Sequence, residues 1–329
     1  MVDLDVDRMP SVMVTGGAGF IGSSLTEHLL HKGYHAIVLD NREDPKNSPE
    51  VLERIDYYNG DIRDKRLLND ILREHDVEGI VHLAAVSRVV IGEESPEICI
   101  DTNLNGTRIL LEAIRESGGR PWFIYGSSRE VYGEPANLPV KESDPKAPIN
   151  TYGRTKLGSE KLLEEHARTK DLKACTLRFS NVYGNENDIQ DRVIPRFIIA
   201  GLRNERMEIH GGRQIFDFTH IDDTVNGIGK CVEHLEKRCN GHPGHYYDDF
   251  HVLIGKGVTL QELANIISRH LRKDIDIHYT KPRTYDVERF IGDPTKSREV
   301  LGFSANIGIE EGIRSTIERF REHLPRESK

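Results

Sequence analysis

The residues that most constrain this chain are Thr15-Gly16-Gly17-Ala18-Gly19-Phe20-Ile21-Gly22. A short apolar run, Val12 to Thr15, leads into them and reads as a buried first strand. Ile21 to His31 follows and reads as a helix that stops near Gly33. A strand that turns into a helix across three spaced glycines has few folding options. The first glycine permits a tight turn, the second lets backbone approach a phosphate closely, and the third lets helix pack on strand. Amides at the start of the helix then face the anion.

The rest of the first half repeats this rhythm. His35 to Asp40, Ile80 to Ala84, Trp122 to Tyr125 and Ala174 to Phe179 read as strands, with a third strand region just before Gly60-Asp61-Ile62. Lys65 to Glu74, Asn105 to Glu116 and Tyr152 to Lys170 read as helices. Strands alternating with helices imply parallel pairing through right-handed crossovers, in a sheet covered on both faces. After about residue 180 the pattern mixes. Helices are expected at Ile194 to Arg203, Asp222 to Glu236, Leu260 to Leu271 and Ile309 to His323. Short strands are expected at Met207 to Ile209 and Asp276 to Tyr279, and Gly241 to Asp249 reads as a surface loop. The fold class is therefore α/β: a Rossmann-type doubly wound parallel sheet with a smaller mixed α/β substrate-binding lobe on the C-terminal side. The dinucleotide domain spans 10–180 with a returning segment at about 215–240, and the lobe takes 181–214 and 241–325.

Composition narrows the function classes. A formal net charge of -9 argues against a nucleic-acid or anionic-membrane surface. No stretch approaches the length of a membrane helix, and Met1 to Pro10 is acidic without an apolar signal core. Cys99, Cys175, Cys231 and Cys239 form no C-x-x-C pair and read as reduced thiols of a cytoplasmic protein. His242, His245 and His251 lie in or near one loop but lack ligand-like regularity, so no metal is expected. The charges from Arg321 to Lys329 read as a frayed, solvated end.

Asp40 closes the second strand, 18 residues after Gly22. A carboxylate there accepts hydrogen bonds from the adenosine ribose and repels a 2′-phosphate, which favours NAD over NADP. Arg42, two residues on, opposes that preference or is a solvated loop charge. Asp61 and Ile62 are candidate adenine contacts, with a helix cap as the other reading of Asp61.

Tyr152 and Lys156 stand at i and i+4 in Tyr152-Gly153-Arg154-Thr155-Lys156, so a helix puts them on one face. An ammonium near a phenol favours the phenolate, which makes tyrosine a usable base near neutral pH. The pair opens a long helix and follows a strand ending in Gly126-Ser127-Ser128, whose hydroxyl can bond a reacting oxygen. Parallel sheets bind ligands at such strand ends.

Together these residues resemble the extended short-chain dehydrogenase/reductase family, in its nucleotide-sugar epimerase and dehydratase branch. The resemblance includes the glycine turn, His82-Leu83-Ala84-Ala85, Asn103 with Gly106-Thr107, and Ser127-Ser128 before Val131-Tyr132-Gly133. It continues through Tyr152 and Lys156, Arg178 to Gly184, Asp217 to Asp223, and Asp293-Pro294-Thr295-Lys296. It implies that Tyr152 takes a proton from a sugar hydroxyl while hydride passes to NAD, that Lys156 also binds the nicotinamide ribose, and that Ser128 steadies the substrate. It adds Phe20, Ile21, Asn41, Leu83, Ala84, Ala85 and Asn103 to the cofactor site. The implied substrate is a nucleotide sugar, touched by Ser87, Ser128, Arg129, Asn181 and Arg283, and the implied assembly is a homodimer; Arg88 reads either as a substrate contact or as a surface ion pair, and Arg213 as a further candidate contact.

Two departures from the family bear on the reaction. Glu130 follows Ser128-Arg129, where the resemblance gives 4-epimerases a small or hydroxyl residue and many dehydratases and decarboxylases a glutamate. Dehydratases for thymidine-linked glucose pair that glutamate with an aspartate, and Arg129 stands there instead. Phe216 replaces an arginine that binds the substrate diphosphate, with Arg213 three residues earlier as a candidate substitute. Epimerisation is the leading reading, with elimination or decarboxylation using Glu130 as base next; Glu130 and Arg129 otherwise read as an ion-paired loop. A net sugar dehydrogenase and a dinucleotide sensor without turnover complete the alternatives.

Overall fold

The computed structural model of this chain describes residues 9–241 and 244–323. Two compact units emerge. The first comprises Met1–Gly126, Gly158–Thr176 and Cys231–Asp248; the second comprises Ser127–Leu157, Leu177–Lys230 and Asp249–Lys329.

The main sheet has seven strands. Six are β1 (Ser11–Thr15), β2 (His35–Asp40), β3 (Asp56–Asn59), β4 (Val77–His82), β5 (Trp122–Ser128) and β6 (Lys173–Phe179); Tyr246–Val252 is the seventh. Their spatial order is Tyr246–Val252, β6, β5, β4, β1, β2, β3. The pairs β1–β2, β1–β4, β2–β3 and β4–β5 are parallel, with Ser11 opposite His35 and His82 opposite Tyr125. This is the doubly wound order, which reverses direction at β1 and opens a crevice beside the glycine turn. All five side chains of β1 are buried, as a strand covered on both faces requires. Met13, Ile37, Ile80, Phe123 and Leu110 meet in one hydrophobic core of the first unit.

Local rules place the helices. Asp64 accepts from the Leu67 amide and starts the helix Lys65–Glu74. A reciprocal capping box between Thr259 and Glu262 starts Leu260–Leu271. In the second unit Ile215–His220 sits between Gly257–Thr259 and Arg289–Phe290 and also pairs with Asn181–Tyr183. Met207–His210 pairs in parallel with Ile277–Thr280. Phe197, Met207, Ile267 and Ile313 share that unit's core.

Three sequence expectations change. Gly241 to Asp249 is not a loop throughout: the helix Ile221–Gly241 runs to its first residue, and Tyr246–Val252 is a strand. His242 and Pro243 lie outside the described residues. The polar run escapes notice because it joins the sheet edge through backbone bonds, while Tyr246 is held by His234 at 2.9 Å and by Arg238 at 4.5 Å from its ring. The strand expected over Ile80 to Ala84 ends at His82, which frees Leu83 to Ala85 as a loop. The final helix is ordered through His323, and 324–329 lie outside the described residues. All four cysteines are free, and no helix among the described residues is long and apolar enough to cross a membrane.

Packing at Gly79 gives a test of the first unit. A Cβ there would stand 2.0 Å from the Trp122 ring. Gly79→Ala is expected to cost about 1–3 kcal/mol through overpacking, read as a lower urea midpoint with an unchanged slope.

Candidate active site

The first unit builds a cradle. Gly16 has φ of 73°, and its amide donates to the Leu39 carbonyl at 2.8 Å, which ties the turn to the end of β2. A Cβ at Gly22 would stand 2.0 Å from the Gly16 carbonyl oxygen, so only glycine lets the helix Phe20–His31 start this close. Beside Gly19 a Cβ would meet only that same oxygen, at 3.3 Å, which leaves room for a ligand next to backbone. Phe20 is buried at the helix start, with Ile21 half-buried beside it.

Asp40 is buried at the end of β2. Its Oδ2 accepts from the Ala18 amide at 3.0 Å and its Oδ1 from the Arg42 amide at 3.1 Å. The carboxylate therefore orders the turn and keeps further lone pairs for a ligand. Asn41 and Arg42 are exposed, and the Arg42 carbonyl accepts from Tyr57 and Asn59. Asp61 is bound by its neighbour Arg63 through both side-chain oxygens, and those bonds hold its carboxyl below the usual range. The helix cap considered for Asp61 belongs to Asp64, because Asp61 stands one turn too early. Ile62 packs into the hydrophobic core.

The loop Leu83-Ala84-Ala85 is held from both ends. Leu83 donates to the Thr15 carbonyl at 2.9 Å, and Asn103 exchanges two bonds with Val86, at 2.7 and 3.1 Å. His82 braces it from the strand, bonded to Thr15 at 2.6 Å and Thr107 at 3.0 Å. Ser87 and Arg88 are half-buried just before the short helix Val89–Glu94. The one grouping of metal-ligand types among the described residues, His35, Asp56 and His75, lies at the opposite ends of β2 and β3 from Asp40. There His35 Nε2 already pairs with Asp56 at 2.9 Å.

The second unit carries the candidate reactive groups. Tyr152 and Lys156 lie in the first turns of the helix Thr151–Lys170, both buried, with Lys156 Nζ 5.8 Å from the centre of the Tyr152 ring. Asn150 caps that helix: its Oδ1 accepts from the Gly153 amide at 2.8 Å. Ser128 ends β5, and its Oγ accepts from the Glu130 amide at 3.2 Å. Glu130 is buried and engaged at both oxygens, by Arg129 Nη2 at 2.9 Å and by Asn150 Nδ2 at 2.8 Å.

Arg129 lies with its guanidinium 4.4 Å from the centre of the Phe216 ring, a cation–π contact. Arg213 is exposed and stands in a loop rather than over Phe216. Asn181 opens its strand with Nδ2 buried and without a protein partner. Arg283 pairs with Asp286 at 3.1 Å, and burial raises the Asp286 carboxyl. Reading the sequence missed Arg196 and His210, which lie 3.5 Å apart. Burial lowers both, and the positive charge of Arg283 lowers them further. Their sequence signal is only two ordinary polar residues 14 apart. Asn150 was also missed, although an Asn just ahead of a helix is a strong capping signal.

A family model described as GDP-mannose 4,6 dehydratase matches residues 13–316. The chain belongs to that family, and with it to the extended short-chain dehydrogenases/reductases. The UDP-glucose 4-epimerase of Halalkalibacterium halodurans is 31% identical over 309 residues, covering 89% of this chain and 90% of that protein. A crystal structure of UDP-glucose 4-epimerase with UDP-glucose, from Thermotoga maritima, superposes with a TM-score of 0.86 at 33% identity, over 95% of this chain and 99% of that one. The dTDP-glucose 4,6-dehydratase DesIV of Streptomyces venezuelae, with NAD and TYD bound, gives 0.85 at 28%, over 95% and 97%. Epimerases and a dehydratase thus share this fold.

The contact between Phe216 and Arg129 can be tested by charge. Phe216→Arg would set two guanidinium groups against each other where one now rests on a ring. The variant is expected to lose about 1–3 kcal/mol of stability. A double-mutant cycle with Arg129→Ser, a change that by itself strands the Glu130 carboxylate, should show a coupling of about 1 kcal/mol or more between the two positions in melting curves.

Proposed function

We propose that this chain is an NAD-dependent nucleotide-sugar epimerase that acts through transient oxidation of a sugar hydroxyl, at C4, to a ketone. The observation that carries the reading is the buried Tyr152–Lys156 pair on a capped helix within the same unit as the Ser128 hydroxyl. Its curated and structural relatives named as 4-epimerases support it.

NAD, when bound, would supply a hydride acceptor and, once reduced, a hydride donor. The glycine turn and the amides at the start of Phe20–His31 hold its diphosphate, and the room beside Gly19 fits that approach. Asp40 accepts from the adenosine ribose, with Asn41, Leu83, Ala84, Ala85 and Asn103 completing the site. Tyr152 Oη takes the hydroxyl proton and later gives it back. The Lys156 ammonium stabilises the phenolate in the interval. Ser128 bonds the reacting oxygen. Asn181 Nδ2 and Arg283 offer donors to the substrate diphosphate. The ketone must turn in the site before hydride returns to its other face, so substrate and product have equal mass.

Glu130 motivates a second reading, elimination of water, which the likeness to DesIV accommodates. Product mass separates the two: an isomer supports epimerisation, and a product lighter by one water overturns it. Tyr152→Phe is expected to keep NAD binding and the melting curve while turnover falls about 10²- to 10⁴-fold. Near-normal turnover would remove Tyr152 as the base. We also propose a homodimer, as its family resemblance implies. Light scattering at micromolar concentration should give twice the chain mass of 37.4 kDa.

A further inference from the structure

We infer that Glu130 is a positioning residue for the helix that carries Tyr152 and Lys156, acting through Asn150, and is not the carbon base of an elimination. The inference rests on Tyr152 acting as the proton acceptor.

A continuous set of contacts supports it. The Phe216 ring holds the Arg129 guanidinium at 4.4 Å. Arg129 Nη2 donates to Glu130 Oε1 at 2.9 Å. Asn150 Nδ2 donates to Glu130 Oε2 at 2.8 Å, and Asn150 Oδ1 accepts from Gly153 N–H at 2.8 Å. Asn150 is wholly buried, and its Nδ2 also reaches the Tyr285 carbonyl at 3.3 Å. The Glu130 carboxylate therefore fixes which way the Asn150 amide faces: nitrogen toward Glu130, oxygen toward the helix amide. That choice caps the turn containing Tyr152.

The backbones of these segments touch as well. A Cβ at Gly153 would stand 2.5 Å from the Glu130 carbonyl oxygen. A shift of Glu130 is thus passed to residues 152 and 153 by backbone contact as well as by the hydrogen bonds. A base must present a lone pair within hydrogen-bond reach of the proton it takes. Here each carboxylate oxygen is bonded to a fixed donor, one of them a cation, so the lone pair left on each is set in direction by those bonds and is not free to follow a substrate carbon. Leaving those partners would strand a buried guanidinium and a buried amide, which is costly. Negative charge ahead of a helix start is in addition favourable.

Exchanging the two polar groups tests the relay. Glu130→Gln sets an amide donor against the Asn150 donor or against Arg129. Asn150→Asp sets two carboxylates together. Each single variant is expected to lose about 10- to 100-fold in kcat through misplacement of Tyr152, with little change in KM. The double variant restores the bonds linking Arg129, 130, 150 and Gly153 with their polarity reversed, losing only the donor to the Tyr285 carbonyl: the new amide at 130 accepts from Arg129 and donates to the new carboxylate at 150, which still accepts from Gly153. It should exceed the product of the single effects by about tenfold or more. NAD binding and melting curves accompany each measurement.

A double variant no better than Glu130→Gln, with NAD bound and a cooperative melt, would show that the carboxylate itself is needed and overturn the inference. Full activity of Glu130→Gln alone would overturn it too. If either single variant does not melt cooperatively, Asn150→Ser takes its place. It keeps an acceptor for Gly153 but removes the amide group that reaches Glu130, and wild-type kcat in it would sink the relay. Turnover is scored on the product the wild-type enzyme makes. Loss of water in that product would fail the epimerase reading alone, while rescue by the exchange would still stand for Glu130.

Discussion

In the first unit, the helix Phe20–His31 starts where a Cβ at Gly22 would lie 2.0 Å from the Gly16 carbonyl oxygen. Much else in that unit follows from this approach. It brings the helix amides to the end of β1, where Gly16 is tied to Leu39 and Ala18 to the Asp40 carboxylate. The same buried strand holds the loop after β4 through Thr15, which bonds both Leu83 and His82. Backbone amides, a carboxylate and a fixed loop thereby converge without any long side chain being immobilised. Pre-set donors of this kind bind an anion at low entropic cost.

The second unit is organised by buried charge. Arg178 is almost fully buried and is held by the Tyr132 hydroxyl at 2.8 Å and Asp249 at 2.6 Å, while Lys296 reaches the other Asp249 oxygen at 3.1 Å. Burial pushes the Asp217 carboxyl up to about 7, although the Gly255 amide bonds it at 2.7 Å. Arg129 and Glu130 follow the same logic beside Ser128. Each such group is tolerable only with its partner in place, so the unit has one good arrangement of its polar interior. A reaction that needs a base held at a fixed distance gains from that rigidity.

Much of the site was legible because its signals are local. Three glycines between a strand and a helix, a carboxylate closing the next strand, and Tyr and Lys one turn apart all act at short sequence range. Helices such as Lys65–Glu74, Leu260–Leu271 and Ile309–His323 fall on the residues their apolar spacing marked. The strand Tyr246–Val252 was hidden because an edge strand owes its shape to the neighbour it pairs with, and its own side chains are largely polar. Asp64 took the cap considered for Asp61 because capping depends on a shift of a few residues that composition does not fix.

By itself the sequence determined the α/β architecture and marked the glycine turn with Asp40, because periodicity and local backbone chemistry carry both, and it made Ser128, Tyr152 and Lys156 candidates as a set through their spacing and the family resemblance. Only the tertiary structure decided what Glu130 and Arg129 contact. Their partners, Asn150 and Phe216, are 20 and 87 residues away from them. Whether a carboxylate is free to take a proton or is tied between a cation and an amide depends on groups brought together by folding. The residue types alone leave both outcomes open.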